Sequence, residues 1–235
     1  MSGFAGFDVS AYPGDDVMKA LKAKSNFSWC GFYLGPAPSH GESDWMSKRT
    51  TLRKQGWGLA PVYVGSQTGG PGVHDDSGMQ GQLDGRQCAF LMGAAGLAPG
   101  RVVFIDLENG LPMTSPETAY LEGWAENVVA AGYAVGVYCS HTMAPAVAGG
   151  IRAVAAKAQA AERALLLDAE GKPRLWCWKI PHNPFGPPYS TDAPAGCGYP
   201  DAVAWQHDQN VEVTIGGFTV VVDLNTSLTH DPSDP

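Results

Sequence analysis

Short apolar runs rich in Val, Ile, Ala and aromatic residues alternate along this chain with longer stretches whose apolar positions recur at helical spacing. The runs fall at 4–9, 29–34, 58–64, 101–108, 134–139, 175–178, 202–206 and 218–224. Between them the pattern predicts helices over 17–24, about 45–55 behind a capping Asp44, about 80–96, and 114–131. Asp15 and Asp16 before the first, and lysines at its end, suit the helix dipole. Thr114 followed by Glu117 reads as a capping box. The Ala-rich segment 143–167 is expected to be helical with a break near Gly149-Gly150. Gly216-Gly217 between two apolar runs reads as a hairpin turn whose second arm is the eighth strand.

Eight strands with helices between most of them predict an α/β fold, a single (β/α)8 TIM-like barrel. The helix after strand six is missing. In its place lies the segment 181–200, with six prolines and no helical pattern, expected to border the barrel mouth as a wall or lid. No linker or composition shift divides the chain, so one domain is expected over 1–228, followed by a polar, frayed tail at 229–235.

The fourth run, Arg101 to Glu108, ends in two carboxylates, Asp106 and Glu108, which strand alternation puts on one face. Desolvating such a pair is costly unless it opens on a cleft. The plainer reading is a helix cap and an arginine partner. Asp8, Tyr33, Tyr63, Tyr138, Trp176, Trp205, Gln206 and Asp223 occupy the same position on the other runs, and in a barrel all those ends face one mouth. A single aromatic there is more often core than site. The repetition around the whole barrel argues for a site. Acids converging on one mouth suit glycosidic cleavage, which needs a protonated carboxyl and a negative group beside an oxocarbenium-like centre. Like-charge repulsion keeps such a carboxyl protonated, and aromatics beside it would stack on sugar faces.

Across its 235 residues the chain carries a formal net charge of −8, so nucleic acid and anionic lipid are poor partners. No apolar run reaches the ~18 residues of a membrane span. The N-terminal stretch lacks a basic region and a long apolar core, so no signal peptide is expected; that leaves the cytosol, another export route or a leader not written here. Cys30, Cys88, Cys139, Cys177 and Cys197 are widely spread without a CxxC pair, which favours buried free thiols over zinc. No cofactor or metal is expected, and a monomer is.

Gly6-Phe7-Asp8, Asp106-Leu107-Glu108, Tyr138-Cys139-Ser140, Leu175-Trp176, Trp205-Gln206 and Val222-Asp223-Leu224-Asn225 follow one another on strands one, four, five, six, seven and eight. In this order they resemble the glycoside hydrolase family 25 muramidases. With the strings at 32–36, 56–65 and 132–140 the chain resembles more closely the bacterial glycoside-hydrolase-like barrel domains, over residues 3–225. The resemblance implies a cleft at Asp8, Asp106, Glu108 and Asp223, with Glu108 as general acid and Asp106 orienting a substrate acetamido group. It implies peptidoglycan or a similar N-acetylated polysaccharide as substrate, and an extracellular or cell-envelope location. Trp178 and the Pro-rich insert depart from the muramidase pattern and are expected to reshape the groove. Two other functions stay open. One is a carbohydrate-binding barrel that kept the acids without the activity. The other is a metal-dependent hydrolase with the four acids as oxygen ligands, to which His74, Asp75 and Asp76 would add only if they are more than a solvated loop.

Overall fold

The computed structural model describes residues 2–67, 76–108, 112–181 and 187–235. Eight strands close into a barrel in sequence order: β1 (Phe4–Asp8), β2 (Trp29–Tyr33), β3 (Gly58–Tyr63), β4 (Val102–Leu107), β5 (Ala134–Ser140), β6 (Arg174–Trp178), β7 (Ala202–Ile215) and β8 (Phe218–Ser227). Six helices lie between them: α1 (Asp15–Lys24), α2 (Arg49–Lys54), α3 (Gly78–Ala94), α4 (Ser115–Ala130), α5 (Ala144–Lys157) and α6 (Ala160–Leu166). β1 to β7 pair as parallel neighbours, whereas β8 runs antiparallel to both β7 and β1. The tight turn at Gly216-Gly217 dictates this, because a two-residue hairpin can only reverse the chain. Both arms of the expected hairpin are present, the first as a continuation of β7.

Strand alternation divides the apolar residues into two cores. Trp29, Ala60, Val62, Val102, Phe104, Ala134, Trp176 and Ala204 fill the barrel interior. The other face of each strand, including Phe7, Phe32, Leu59, Val103, Val135 and Val137, packs outward against the helices. Burying each large side chain contributes about 1.5–3 kcal/mol. The interior rings need space that only glycine leaves. A Cβ on Gly6 would stand 2.2 Å from the Trp29 indole, and one on Gly136 would stand 2.5 Å from the Phe104 ring.

The capping box of α4 forms as its sequence predicts. Glu117 donates its N–H to Thr114 Oγ1 at 3.3 Å, and Thr114 N–H reaches Glu117 Oε2 at 2.7 Å. Two other helices differ from expectation. α2 begins only at Arg49, because Asp44 accepts the backbone N–H groups of Tyr12 and Trp45 instead of capping a helix. The Ala-rich segment runs unbroken through Gly149-Gly150 and breaks instead at Ala158-Gln159, where Gln159 and Glu162 build a second capping box. The buried face of Val147, Ile151 and Val154 outweighs the ~0.5–1 kcal/mol that each mid-helix glycine costs.

The Pro-rich insert is not a lid over its described residues. From residue 187 onward it lies against the base of the barrel and the outer face of β7. Tyr189 and Asn26, at the base before β2, exchange two hydrogen bonds of 2.7 and 2.9 Å. The Tyr189 ring stacks on Phe27 at 4.2 Å, and Thr191 accepts the Gly3 N–H at 2.6 Å. A 3-10 turn, Pro194–Cys197, then covers Trp205, whose ring would be 2.6 Å from a Cβ on Gly196. The insert therefore replaces the missing helix as a strap over apolar outer faces. Residues 182–186 lie outside the described residues.

The tail does not fray either. Asp231 and Ser233 are buried. Asp231 Oδ1 accepts the Leu59 N–H at 3.0 Å and the Ser233 hydroxyl at 2.8 Å, and Arg53 binds its other oxygen. Ser233 bridges Leu59 O and Val102 N, so the tail seals the base of the barrel. All five cysteines are buried and free.

Candidate active site

At the mouth, Asp8, Tyr33, Val62, Asp106, Glu108, Tyr138, Trp176 and Asp223 line a small cavity of about 40 Å³. The four acids expected from the sequence therefore share one site. Asp8 closes β1, and Asp106 lies near the end of β4 with Glu108 immediately after it. Asp223 departs from the expected strand-end position. It comes from within the antiparallel β8, directly opposite Asp8 in the register.

The acids are held very differently. Asp8 Oδ2 accepts the Tyr33 hydroxyl at 2.8 Å, and Oδ1 accepts Asn225 Nδ2 at 2.6 Å. Asp223 accepts Gln206 Nε2 at 2.9 Å and the Asn210 N–H at 2.8 Å. Asn210 presents that N–H from a bulge in β7, in the left-handed region at φ 55°. Asp106 is 6% exposed, and among the described residues its Oδ1 has no hydrogen-bond partner. Its backbone carbonyl accepts from Gln67 Nε2 at 3.1 Å. Glu108 stands at the exposed rim.

Among the described residues no Lys, Arg or His pairs with any of the four, so neither carboxylate of β4 has the arginine partner of the plainer reading. Their acidities follow. Burial, then the Asp223 charge, pushes Asp8 up to about 7 against the pull of its two hydrogen bonds. Burial, then Glu108 and Asp8, holds Asp106 well above the ordinary carboxylate range. Glu108 is raised by crowding on its protein side and by Asp223. Asp223 is raised by burial, with Asn210 and Gln206 opposing. A cluster in which protons are retained near neutrality can donate one to a leaving oxygen. Among the described residues no group of three or more His, Cys, Asp and Glu side chains is arranged to hold a metal ion. His74 and Asp75 lie outside those residues.

The expected sugar-contacting residues divide. Tyr33 and Tyr138 face the cavity, and Tyr138 donates to Gln206 Oε1. Gln206 is buried behind Asp223 and orients it. Trp176 reaches the cavity only with an edge, being 1% exposed and packed against Trp29, Phe104 and Tyr138. It offers no face for stacking. Tyr63 and Trp205 point away from the barrel. Tyr63 donates to Gln87 on α3 at 2.7 Å, and Trp205 donates to Lys179 O at 2.9 Å beneath the strap. Pleat phase explains both. Val62 and Gln206 face inward, so their chain neighbours Tyr63 and Trp205 face outward. Conversely, Trp178 is partly exposed and packs against the interior core from the mouth end of β6. Asn225, two residues beyond Asp223 and on the same strand face, was the polar residue to add by the same counting.

Comparisons with known proteins agree with this architecture. The model of the Rv2525c-like, glycoside hydrolase-like domain matches residues 19–227. No curated protein matches the chain in sequence. Among solved structures, the Tat-secreted protein Rv2525c of Mycobacterium tuberculosis, in complex with L-tartrate, is 18% identical and covers 97% of each chain with a TM-score of 0.59. A bacterial lysozyme from Streptomyces coelicolor is 15% identical, covering 100% of this chain and 98% of its own, with a TM-score of 0.58. A family 25 glycosyl hydrolase from Bacillus anthracis is 15% identical over 97% of this chain and 90% of its own, with a TM-score of 0.55. At such identities these structures share the fold, and the family model adds the assignment: this chain belongs to the Rv2525c-like glycoside hydrolase-like domain family.

Proposed function

We propose that the protein is a glycoside hydrolase of N-acetylated cell-wall glycan, peptidoglycan in the first place, and that the four-acid mouth is its active centre. The observation that carries this reading is the convergence of Asp8, Asp106, Glu108 and Asp223 on one cavity, without a neutralising cation among the described residues and with every carboxyl raised. A fold that spends stability on such repulsion has a use for a proton held near neutrality. Glu108 is the general acid. It stands at the open rim and has the longest reach toward a bridging oxygen. Asp106 turns its unpartnered Oδ1 to an acetamido N–H, a donor that an N-acetylated sugar would bring. Asp8 and Asp223 supply negative charge beside the developing oxocarbenium centre. Tyr33 and Trp178 are the partly exposed rings that a sugar face would meet.

The relatives support the substrate class, since a lysozyme and a family 25 glycosyl hydrolase share the fold. The Tat-secreted relative supports a place outside the cytoplasm, which is where the substrate lies. No helix among the described residues is long and apolar enough to cross a membrane. The barrel acts as one domain and as a monomer.

The narrowness of the cavity, about 40 Å³, favours a second reading, a barrel that binds glycan ends without cleaving them. One experiment separates the two. Purified peptidoglycan is incubated with the protein, and new reducing ends are counted and their masses measured. Reducing ends of muropeptide mass support hydrolysis. Binding without them supports the second reading.

A further inference from the structure

Two buried side chains, Trp176 lining the cavity and Asn225 behind it, have no part in the proposed chemistry yet are joined to it by hydrogen bonds. Trp176 Nε1 donates to Asn225 Oδ1 at 2.9 Å, in the buried interior. Asn225 Nδ2 then donates to Asp8 Oδ1 at 2.6 Å and to the Asp223 backbone carbonyl at 3.1 Å. The register sets Asn225 beside Gln206, whose strand in turn neighbours that of Trp176, so the three groups are fixed by the sheet itself.

The polarity of this chain is not free. An indole nitrogen can only donate, so the Asn225 atom that faces it must be the oxygen. The amide nitrogen must then face Asp8. A flipped amide would set its oxygen against a carboxylate oxygen and a carbonyl, and its N–H groups against the indole N–H. All three contacts would turn repulsive in a buried place, where an unmet polar group costs most. The parallel chain on the other side, Tyr138 to Gln206 to Asp223, lacks this one-way property, because a hydroxyl can donate or accept.

We propose that Trp176 and Asn225 are positioning residues forming a one-way lock that keeps Asp8 a hydrogen-bond acceptor and so favours its ionised form. With the Tyr33 hydroxyl on its other oxygen, Asp8 is met by donors on both sides. Asp106 has none at Oδ1. The lock thus favours keeping the most firmly held proton on Asp106 of β4 rather than on Asp8 of β1. Among the described residues, the charged and titratable groups that interact with Asp8 are Tyr33 and, more weakly, Cys30 on β2, Asp106 and Glu108 at β4, Tyr138 on β5 and Asp223 on β8. None of them is a cation, so the donors are what oppose protonation. This role explains why a tryptophan 1% exposed lines the cavity although it offers no stacking face. The lock stands on geometry alone and extends beyond the reaction proposed above.

The test is a carbon-13 carboxyl titration of the whole protein, with Asp8 identified by the signal lost in Asp8→Asn. Asn225→Leu keeps the side-chain size and removes both donors. It should raise the Asp8 midpoint by about one to two pH units, the worth of a hydrogen bond to a charged group. Trp176→Phe leaves the amide in place but free to turn, and should raise the midpoint by a smaller amount. Phe104→Leu disturbs the same ring packing without touching the hydrogen bonds, and should leave the midpoint where it is. An unmoved midpoint in Asn225→Leu, or in Trp176→Phe if the first variant does not fold, overturns the lock. So does a shift in Phe104→Leu equal to that in Trp176→Phe, because packing alone would then suffice. The titration needs no substrate. A parent protein that cleaves no glycan would remove the hydrolase reading and leave this result standing.

Discussion

The barrel buries carboxylates at both of its ends and treats them in opposite ways. At the base, Asp231 is met by Arg53, by the Leu59 N–H and by Ser233, with Arg101 nearby. Those partners hold its carboxyl below the ordinary range although burial pushes the other way. At the mouth, Asp8 and Asp106 are buried as deeply, and three further strands bring acids or phenols but no cation. Their carboxyls are raised. The same chain thus neutralises one buried acid and leaves the mouth acids, two of them as deeply buried, in mutual repulsion. Burial does not decide which end is structural; the company each acid keeps does. The base acid contributes to stability, and the mouth acids cost it, as sites of chemistry commonly do.

Substitutions that remove charge without changing shape should separate the two ends. The largest effect should be catalytic. Glu108→Gln should lower glycan hydrolysis by at least ~10²–10⁴-fold, the usual worth of general acid catalysis, with glycan binding retained. Turnover and binding measured on the same glycan check this, and full activity in the variant would sink the assignment. Asp231→Asn should next lower stability by about 1.5–3 kcal/mol, the worth of hydrogen bonds to a charged group. That corresponds to a melting temperature lower by roughly 3–12 °C in a domain of this size. Asp106→Asn should do the opposite at the mouth. It should leave the melting temperature at neutral pH unchanged or higher, by about 1 kcal/mol at most, while activity falls. A clear loss of stability there would erase the contrast.

The pH dependence should also differ in sign. Asp8 titrates at about 7 when folded, against 3.8 as an unperturbed carboxyl. The folded state therefore holds more protons between those values, and this group's contribution falls as pH rises from about 4 to 7. Asp231 is lowered, so its contribution is full above its unfolded value and is lost as pH falls through the folded one. Denaturant melts from pH 3 to pH 8 should show Asp8→Asn flattening the upper part of the curve and Asp231→Asn the acid part. The smallest expected effect concerns the strap. Tyr189→Ala should lower the melting temperature by a few degrees, through loss of its stack on Phe27, with KM for glycan unchanged. A change in KM without one in melting temperature would return the insert to the role of a lid.

Much of this was legible from residue order. The alternation of runs predicted the closed barrel, and the acids at run ends predicted one shared cavity. What escaped was phase and direction. Tyr63 and Trp205 are strand-end aromatics, but each follows an inward residue, Val62 or Gln206, and pleating turns it outward. Gly216-Gly217 was readable as a hairpin, yet the antiparallel entry of β8 that follows from it decides which residue of that strand meets the mouth. Asn225 stands in the eighth-strand motif, but an amide carries no charge to mark it as a site residue; its contacts with Trp176 and Asp8 give it that place. The insert, over its described residues, and the tail depart from expectation for one reason. Prolines and polar residues mark the absence of helix, and say nothing of what a segment covers once the helices are missing.

The reversed eighth strand also governs what can be attached to this protein. Seven strands begin at the base, and the eighth returns there, pairing Ser227 with Phe4. The first and last strands thus meet at the base, on the face remote from the cavity, and from there the tail runs on beneath Leu59 and Val102. A fusion partner, an affinity tag or a surface tether joined at either end would hang from that face. Such an attachment would not stand between the mouth and a long polymer.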